Sequence, residues 1–480
     1  MSDRKRVSIG ISGFGSSGYP KTIPKTIAEL YDEGRLSAKI SLLTGASAYQ
    51  VDQILGERNL VERRYPYQYS PVMRKLINSG KVEFYDFHLG EWPQYLRSGF
   101  LSSKVGPLDL AVIEAVYVDE KGIVPSMSVG AVDAFASEAK EVIVEVNPDI
   151  PDELIGVHDI YSPGIPPNRE PIPVRDVSDR IGRDRLTVPE GKIVAIVESH
   201  GHDRGGDVGK PGPVERKIAD NLLGFLEREI EEGRIPERML PIESGVGTVQ
   251  DAVMSALAEA GIRGLKAWTE VAQDSFYKMM AAGEMEYISA TSLMLSPKGR
   301  EFFFSNLGDF RKKTILRPQS VTNDWEVIRR LGVIAMNTAV EVDIYGFVNS
   351  THIMGTHVIN GIGGSGDFTR AAYMSIFITP STRKDGRISC IVPMVSHVDH
   401  IDHDVDVIVT EQGVCDLRGK SPRERARELI ENCAHPDYRD RLLEYFERAI
   451  QEVGGHMPLL HKEALSWYIR YLESGDMRAG

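Results

Sequence analysis

A single carboxylate closes an apolar stretch in Leu265-Lys-Ala-Trp-Thr-Glu270-Val-Ala-Gln-Asp274. The stretch reads as a short strand that stops at Glu270, followed by a turn and then a helix over residues 274–282. In open α/β sheets, ligands bind outside the carboxyl ends of the strands, the place this spacing gives Glu270. Two glycine turns accompany it. Ser244-Gly-Val-Gly-Thr248 lies between a strand over 239–242 and a helix from Val249, and Asn360-Gly-Ile-Gly-Gly-Ser-Gly-Asp367 precedes a further helix. Glycine lets backbone N–H groups come close to a ligand, and helix N-termini favour negative charge. A carboxylate between two such turns has the parts for acyl transfer: a nucleophile, and amides for the oxyanion that forms when it attacks. The chain holds 69 acidic residues, most of them solvated surface groups, so spacing alone does not single Glu270 out.

Other clusters offer rival chemistry. Thr410-Glu-Gln-Gly413 places Glu411 at the end of an apolar strand, as with Glu270. Arg204 lies in the glycine-rich loop His202-Asp-Arg-Gly-Gly-Asp207, and Arg383-Lys384-Asp-Gly-Arg387 reads as a hairpin turn able to offer a cation to a phosphate. His397, His400 and His403 recur every three residues. In an extended segment that spacing sends neighbours to opposite faces, whereas zinc needs ligands that converge; no metal is expected. Gly13-Phe-Gly15-Ser-Ser-Gly18 matches the glycine fingerprint of dinucleotide folds, but the next strand ends in Thr44-Gly-Ala-Ser, without the acid that would hold a ribose. A tight strand-to-helix turn is the expectation, and a nucleotide-binding redox or sensor protein the remote alternative.

The elements that must carry these groups alternate. Strands are expected over 7–11, 38–43, 109–115, 141–146 and 192–197, with helices over 24–33, 48–57, 71–79 and 132–137 between them. The apolar run over 109–115 suits a strand covered on both faces. Prolines crowd 147–189, where long elements are excluded. The second half continues with a helix over 214–231, strands over 332–337, 342–345, 388–395 and 406–410, a helix over 325–331 and a mostly helical end from 422. This alternation predicts an α/β protein of two related open α/β domains, 1–200 and 201–480, with the active site in a cleft between them. The net charge of −13 argues against nucleic acid as partner. Three cysteines without a CxxC pair, no signal-peptide core and no membrane-length apolar run suit a reducing cytoplasm.

Taken together, Trp-Thr-Glu270-Val-Ala-Gln-Asp-Ser, Ser-Gly-Val-Gly247, Asn-Gly-Ile-Gly-Gly-Ser-Gly-Asp-Phe368 and Val-Ile-Val-Thr-Glu-Gln-Gly413 resemble the acetyl-CoA hydrolase/transferase family, a branch of the class I CoA-transferases. Asn349-Ser-Thr-His352, Pro393-Met-Val-Ser-His-Val-Asp-His400, Cys433-Ala-His-Pro-Asp-Tyr438 and Glu463-Ala-Leu-Ser-Trp467 extend the likeness from Gly13 to about Met477. The resemblance implies transfer of coenzyme A between short-chain carboxylic acids, with succinyl-CoA and acetate as the expected pair and acetyl-CoA hydrolysis as the alternative. It implies acyl-CoA as substrate without a permanently bound cofactor, and a homodimer. It assigns Glu270 as the nucleophile that becomes a glutamyl-CoA thioester, with the amides of Val246 and Gly364 as oxyanion donors. Gly245, Val246, Gly247, Thr248 and Val249 would line the coenzyme A site, Val340 would pack on it, and Lys384 would meet a phosphate. Asn323, Glu411 and Arg204 match polar active-site residues of the family. Family members usually carry a leader helix before the first strand, whereas this sequence starts almost at the strand.

Overall fold

The computed structural model describes residues 6–101, 106–206 and 209–479. Most of the basic start and Asp207, the last residue of the Arg204 loop, lie outside them. The chain divides into two compact units that are not contiguous in sequence. The first takes residues 1–207, 263–331 and 360–367; the second takes 208–262, 332–359 and 368–480. The Glu270 strand and the turn before Asp367, on the C-terminal side of the boundary expected near residue 200, thus pack with the first unit.

The first unit carries eight strands in one sheet: β1 (Arg6–Ile11), β2 (Lys39–Thr44), β3 (Val61–Tyr65), β4 (Glu83–Phe84), β5 (Leu110–Asp119), β6 (Gly122–Pro125), β7 (Glu141–Val146) and β8 (Ile193–Glu198). Their order is β4-β3-β2-β1-β5-β7-β8, all parallel, with β6 returning antiparallel on β5. The centre of the sheet is buried on both faces: Leu110 to Val116 of β5 are all inaccessible, including Glu114. That is why the apolar run was legible as a strand without alternation. Ile27, Val51, Leu55, Met73 and Leu76, from helices Ile23–Asp32, Tyr49–Glu57 and Pro71–Asn78, pack with Ile9, Ile40 and Leu42 in one core.

A second set of parallel strands in this unit runs Thr314–Leu316, Met285–Ala290, Leu265–Trp268. The proline-rich stretch is anchored to it. His158 bridges Leu316, the Asp159 N–H donates to the Leu316 carbonyl at 2.8 Å, and only the short turn Asp152–Leu154 is helical. The Gly13–Gly18 turn packs against the same region. Ser292 donates its hydroxyl to the Phe14 carbonyl at 2.9 Å, and Ser17 donates to that of Leu293 at 2.7 Å.

The second unit holds strands Ile242–Ser244, Ile334–Thr338, Met374–Ile378 and Val407–Thr410, parallel in that order, with Gly413–Asp416 antiparallel at the end. Helix Pro213–Glu231 buries Ile218, Leu222, Phe225 and Leu226 at helical spacing. The strand expected over 239–242 starts only at Ile242, because Met239 takes a left-handed φ of 58° and Pro241 lacks an N–H. The expected strand over 388–395 is two short strands, Ile388–Ser389 and Ile391–Val392, paired to different partners. The C-terminal helices Pro422–Cys433, Pro436–Glu452 and Ser466–Ser474 pack on Ile408, Ile391 and Val342 in a second core. Cys390, Cys415 and Cys433 are all buried and unbridged. Burial raises all three thiol pKa values, that of Cys415 to about 12. Among the described residues no helix is long and apolar enough to cross a membrane.

Candidate active site

Glu270 follows directly on the strand Leu265–Trp268, so its side chain is aimed by backbone that the neighbouring strand already holds. The Thr269 N–H donates to the Ser289 carbonyl at 3.0 Å, and the Glu270 carbonyl accepts from the N–H groups of Thr291 and Ser292 at 2.9 and 3.0 Å. Beyond it, Val271–Ala272 pairs parallel with Ser292–Leu293. The carboxylate is therefore set between two short pieces of ladder, not on a free loop.

Two other expected residues meet it. The Asn323 side-chain amide donates to Glu270 Oε1 at 2.6 Å. The Gly364 N–H also donates to the carboxylate. The approach at Gly364 is possible only because it is glycine: a Cβ there would lie 2.2 Å from Oε1 and 2.6 Å from Oε2. Burial pushes the Glu270 carboxyl up to about 8; the Asn323 amide pulls it back, the nearby Asp367 carboxylate adds to the rise, and the Gly364 N–H again favours the anion. A partly desolvated carboxylate short of counter-charge is a better nucleophile than a fully solvated one once its proton has gone.

The turn that delivers Gly364 is clamped by side chains of the first unit. Asp86 accepts from the Ile362 N–H at 2.8 Å, and Tyr67 lies under Gly361 and Gly363, where a Cβ would come within 3.0 and 3.3 Å of its ring. Asp367 closes the turn. It is buried and accepts from Gly90 N–H at 2.9 Å, Trp325 Nε1 at 3.0 Å and Asn323 Nδ2 at 3.2 Å. Asp86, Tyr67 and Asp367 escaped sequence reasoning. Asp367 was visible as the last residue of the glycine turn, but which donors surround a carboxylate is a tertiary fact. Arg204, also in this unit, stacks on Tyr49 with its guanidinium carbon 4.4 Å from the ring centre. From Tyr49 the rings of Tyr69 and Tyr67 follow at 5.7 and 6.5 Å, which connects Arg204 to the Gly363 turn through a row of phenols.

The Gly13–Gly18 turn already serves one of the protein's own acids. Its Gly18 N–H donates to the Asp203 carboxylate at 2.8 Å. The Glu145 carboxylate takes the N–H groups of Lys21, Thr22 and Ile23 at 2.8, 2.9 and 2.5 Å, at the start of helix Ile23–Asp32. The positive end of this helix is filled by the protein's own acid, where a dinucleotide fold would leave it for pyrophosphate. The glycines serve packing: a Cβ at Gly15 would touch Met294 and Val271, next to Glu270.

The remaining expected residues belong to the second unit. Gly245 to Thr248 form the turn between Ile242–Ser244 and helix Thr248–Glu259, with Val246 42% exposed although apolar. Val249 is buried in that helix. The Val340 N–H donates to the Asn349 carbonyl at 2.8 Å. Lys384 is exposed in a hairpin turn and takes a left-handed φ of 53°. Glu411 is raised by burial but held below the usual carboxylate range overall, because Ser381 gives it both its hydroxyl and its N–H, the latter at 2.8 Å. The histidine run does not converge. His400 is buried against Phe377, His403 is exposed beside Asp402, and His397 instead meets His352 with ring centres 3.9 Å apart. His352, His397 and Asp399 bring possible ligand atoms within 4.8 Å of one another, with His352 supplied by a segment outside the run.

Comparison with known proteins follows the same residues. The family model described as the acetyl-CoA hydrolase/transferase N-terminal domain matches residues 4–198, and that described as its C-terminal domain matches 299–446. The chain is 47% identical over 472 residues to a succinyl-CoA:acetate CoA-transferase of Clostridium kluyveri, spanning 98% of this chain and 87% of that one. It is 42% identical to an acetyl-CoA hydrolase of Yarrowia lipolytica, over 98% of this chain and 93% of that one. Among solved structures, RipA from Yersinia pestis shares the fold with a TM-score of 0.68 at 22% identity, covering 91% of this chain and 93% of its own.

Proposed function

The chain belongs to the acetyl-CoA hydrolase/transferase family, and on that premise we propose that it exchanges coenzyme A between succinate and acetate through a thioester on Glu270. The observation that carries this reading is the half-buried Glu270 carboxylate held by the Gly364 N–H and the Asn323 amide. The likeness at 47% identity to a succinyl-CoA:acetate CoA-transferase supports the choice of acyl groups.

In the proposed cycle the Glu270 carboxylate attacks the thioester carbon, and coenzyme A thiolate leaves as a mixed anhydride forms. The thiolate then attacks the glutamyl carbonyl. The C–O bond to the first acid breaks, that acid departs, and Glu270 carries coenzyme A as a thioester. A second carboxylate reverses both steps. Orientation of such a weak nucleophile contributes about 7–11 kcal/mol, and each well-placed oxyanion donor about 3–4 kcal/mol. The proposed donors are the amides of Gly364 and Val246. Gly245 to Val249, Val340 and Lys384 are proposed to hold coenzyme A, and Arg204 and Glu411 to line the polar part of the site. The working molecule is proposed to be a homodimer.

Hydrolysis differs only in water intercepting the Glu270 thioester, and the acetyl-CoA hydrolases among the relatives make it the second reading. One experiment addresses both. The protein is incubated with acetyl-CoA or succinyl-CoA, reduced with borohydride and digested for mass spectrometry, while acetate, succinate, propionate and water are compared as acceptors. The expected result is a modification on Glu270 alone and faster exchange with acetate or succinate than with water. A label on another residue overturns the mechanism. Water as the preferred acceptor overturns the transferase assignment. Glu270→Ala is expected to abolish turnover while coenzyme A still binds.

A further inference from the structure

We propose that Asp367 is a positioning residue for Glu270, acting by fixing the Asn323 amide so that its two hydrogens face the two carboxylates. The proposal rests on the reading of Glu270 as nucleophile and adds what sets its donor.

An asparagine side chain presents an oxygen on one side and an NH2 on the other, and the two ends are nearly equal in shape. Left to itself, either end of Asn323 would fit against Glu270. With the oxygen turned inward, it would repel the carboxylate and offer nothing to a developing charge. The surroundings decide the choice. Asp367 is fully buried and everything around it donates: Gly90 N–H to Oδ2 at 2.9 Å, Trp325 Nε1 to Oδ1 at 3.0 Å and Asn323 Nδ2 to Oδ2 at 3.2 Å. His88 Nδ1 stands 4.0 Å from Oδ1. Asn323 Nδ2 gives its other hydrogen to Glu270 Oε1 at 2.6 Å, and Asn323 Oδ1 accepts from the Thr322 hydroxyl at 2.8 Å. Rotating the amide by half a turn would set its oxygen against both carboxylates, whereas the Thr322 hydroxyl could serve either end. The backbone is pinned as well, since a Cβ on Gly90 would lie 2.5 Å from the Asn323 carbonyl oxygen. Asp367 thus acts through Asn323 and needs no contact with substrate.

Asp367→Asn keeps the shape but must turn an NH2 towards a wall of donors, so Asn323 is no longer forced. The expected loss in kcat is about tenfold or more, with KM for acyl-CoA unchanged within about twofold. The deciding measurement is a double-mutant cycle. In an Asn323→Ala background, Asp367→Asn is expected to cost nothing further, because the group it orients is gone. Losses that multiply, or a wild-type kcat for Asp367→Asn alone, overturn the proposal. If Asp367→Asn fails to fold by thermal melt, Trp325→Phe carries the same cycle. It removes one donor from Asp367 Oδ1, and the expected smaller loss must likewise vanish beside Asn323→Ala. Acyl-CoA consumption is followed with water and with acetate, so that either activity of the family reads the cycle. A fully active Glu270→Ala control would sink the nucleophile reading while leaving the 323–367 coupling measurable.

Discussion

Burial of Glu270 has a consequence for pH. Its carboxyl titrates at about 8 in the folded chain, against an ordinary value of 4.5, because the site withholds water from the anion. The proposed attack by Glu270 requires the anion, so kcat/KM for acyl-CoA is expected to rise with pH through about 8. Asn323→Ala removes a donor to the anion and is expected to move that rise to higher pH. A pH–rate series on both proteins measures this; a profile already flat from about pH 6 upward would contradict it. The same shift acts on stability. The folded chain keeps a proton that the unfolded chain loses, so Glu270's contribution is full below about 4.5 and is lost as pH rises through about 8. Glu270→Gln is neutral throughout, so it is expected to melt a few degrees above wild type near pH 8–9, with the gap closing near pH 5. Scanning fluorimetry at both pH values tests it. Gly364→Ala forces a methyl into the carboxylate and is expected to lower kcat by about a hundredfold or more. Sequence gave warning of Glu270 and Gly364 because a lone acid after an apolar strand and a glycine-dense turn are visible in one dimension. Asp367 and Tyr67 gave none, since their work depends on which groups fold around them.

Arg317 ties the elements behind Glu270, the proposed nucleophile. It follows the strand Thr314–Leu316, is fully buried, and reaches Asp159 in the proline-rich stretch, the Asp179 carbonyl and Ser289 Oγ at 2.7 Å. Its guanidinium carbon lies 5.3 Å from the Trp268 ring centre, just ahead of Glu270. Burial lowers its pKa to about 10, offset by the Asp159 carboxylate. Removing one partner of such a pair strands the other charge, so Arg317→Ala is expected to cost about 3–5 kcal/mol in a denaturant melt. A loss within about 0.5 kcal/mol would refute the role. The expected strands at 141–146 and 109–115 were legible because buried parallel strands are mostly apolar, even with Glu114 and Glu145 set into them. The stretch over 147–189 was legible only as irregular. Prolines reveal that no long element forms, but not that Asp159 and His158 join a distant strand.

The division of the whole molecule was the least legible feature. The alternation of strands and helices suggests a cut near residue 200, yet residues 263–331 and 360–367 cluster with the chain's beginning. Parallel sheets allow this, because each strand is free to pair with one far away in sequence. The assembly is testable at this scale: sedimentation at micromolar protein is expected to give the mass of two chains, and a single-chain mass would exclude the homodimer. The three cysteines supply a practical consequence. Each is enclosed and hard to deprotonate, so the native protein should be silent towards a thiol-exchange dye. Any colour that develops during turnover then counts liberated coenzyme A directly, and water and acetate as acceptors become distinguishable in real time without a coupling enzyme.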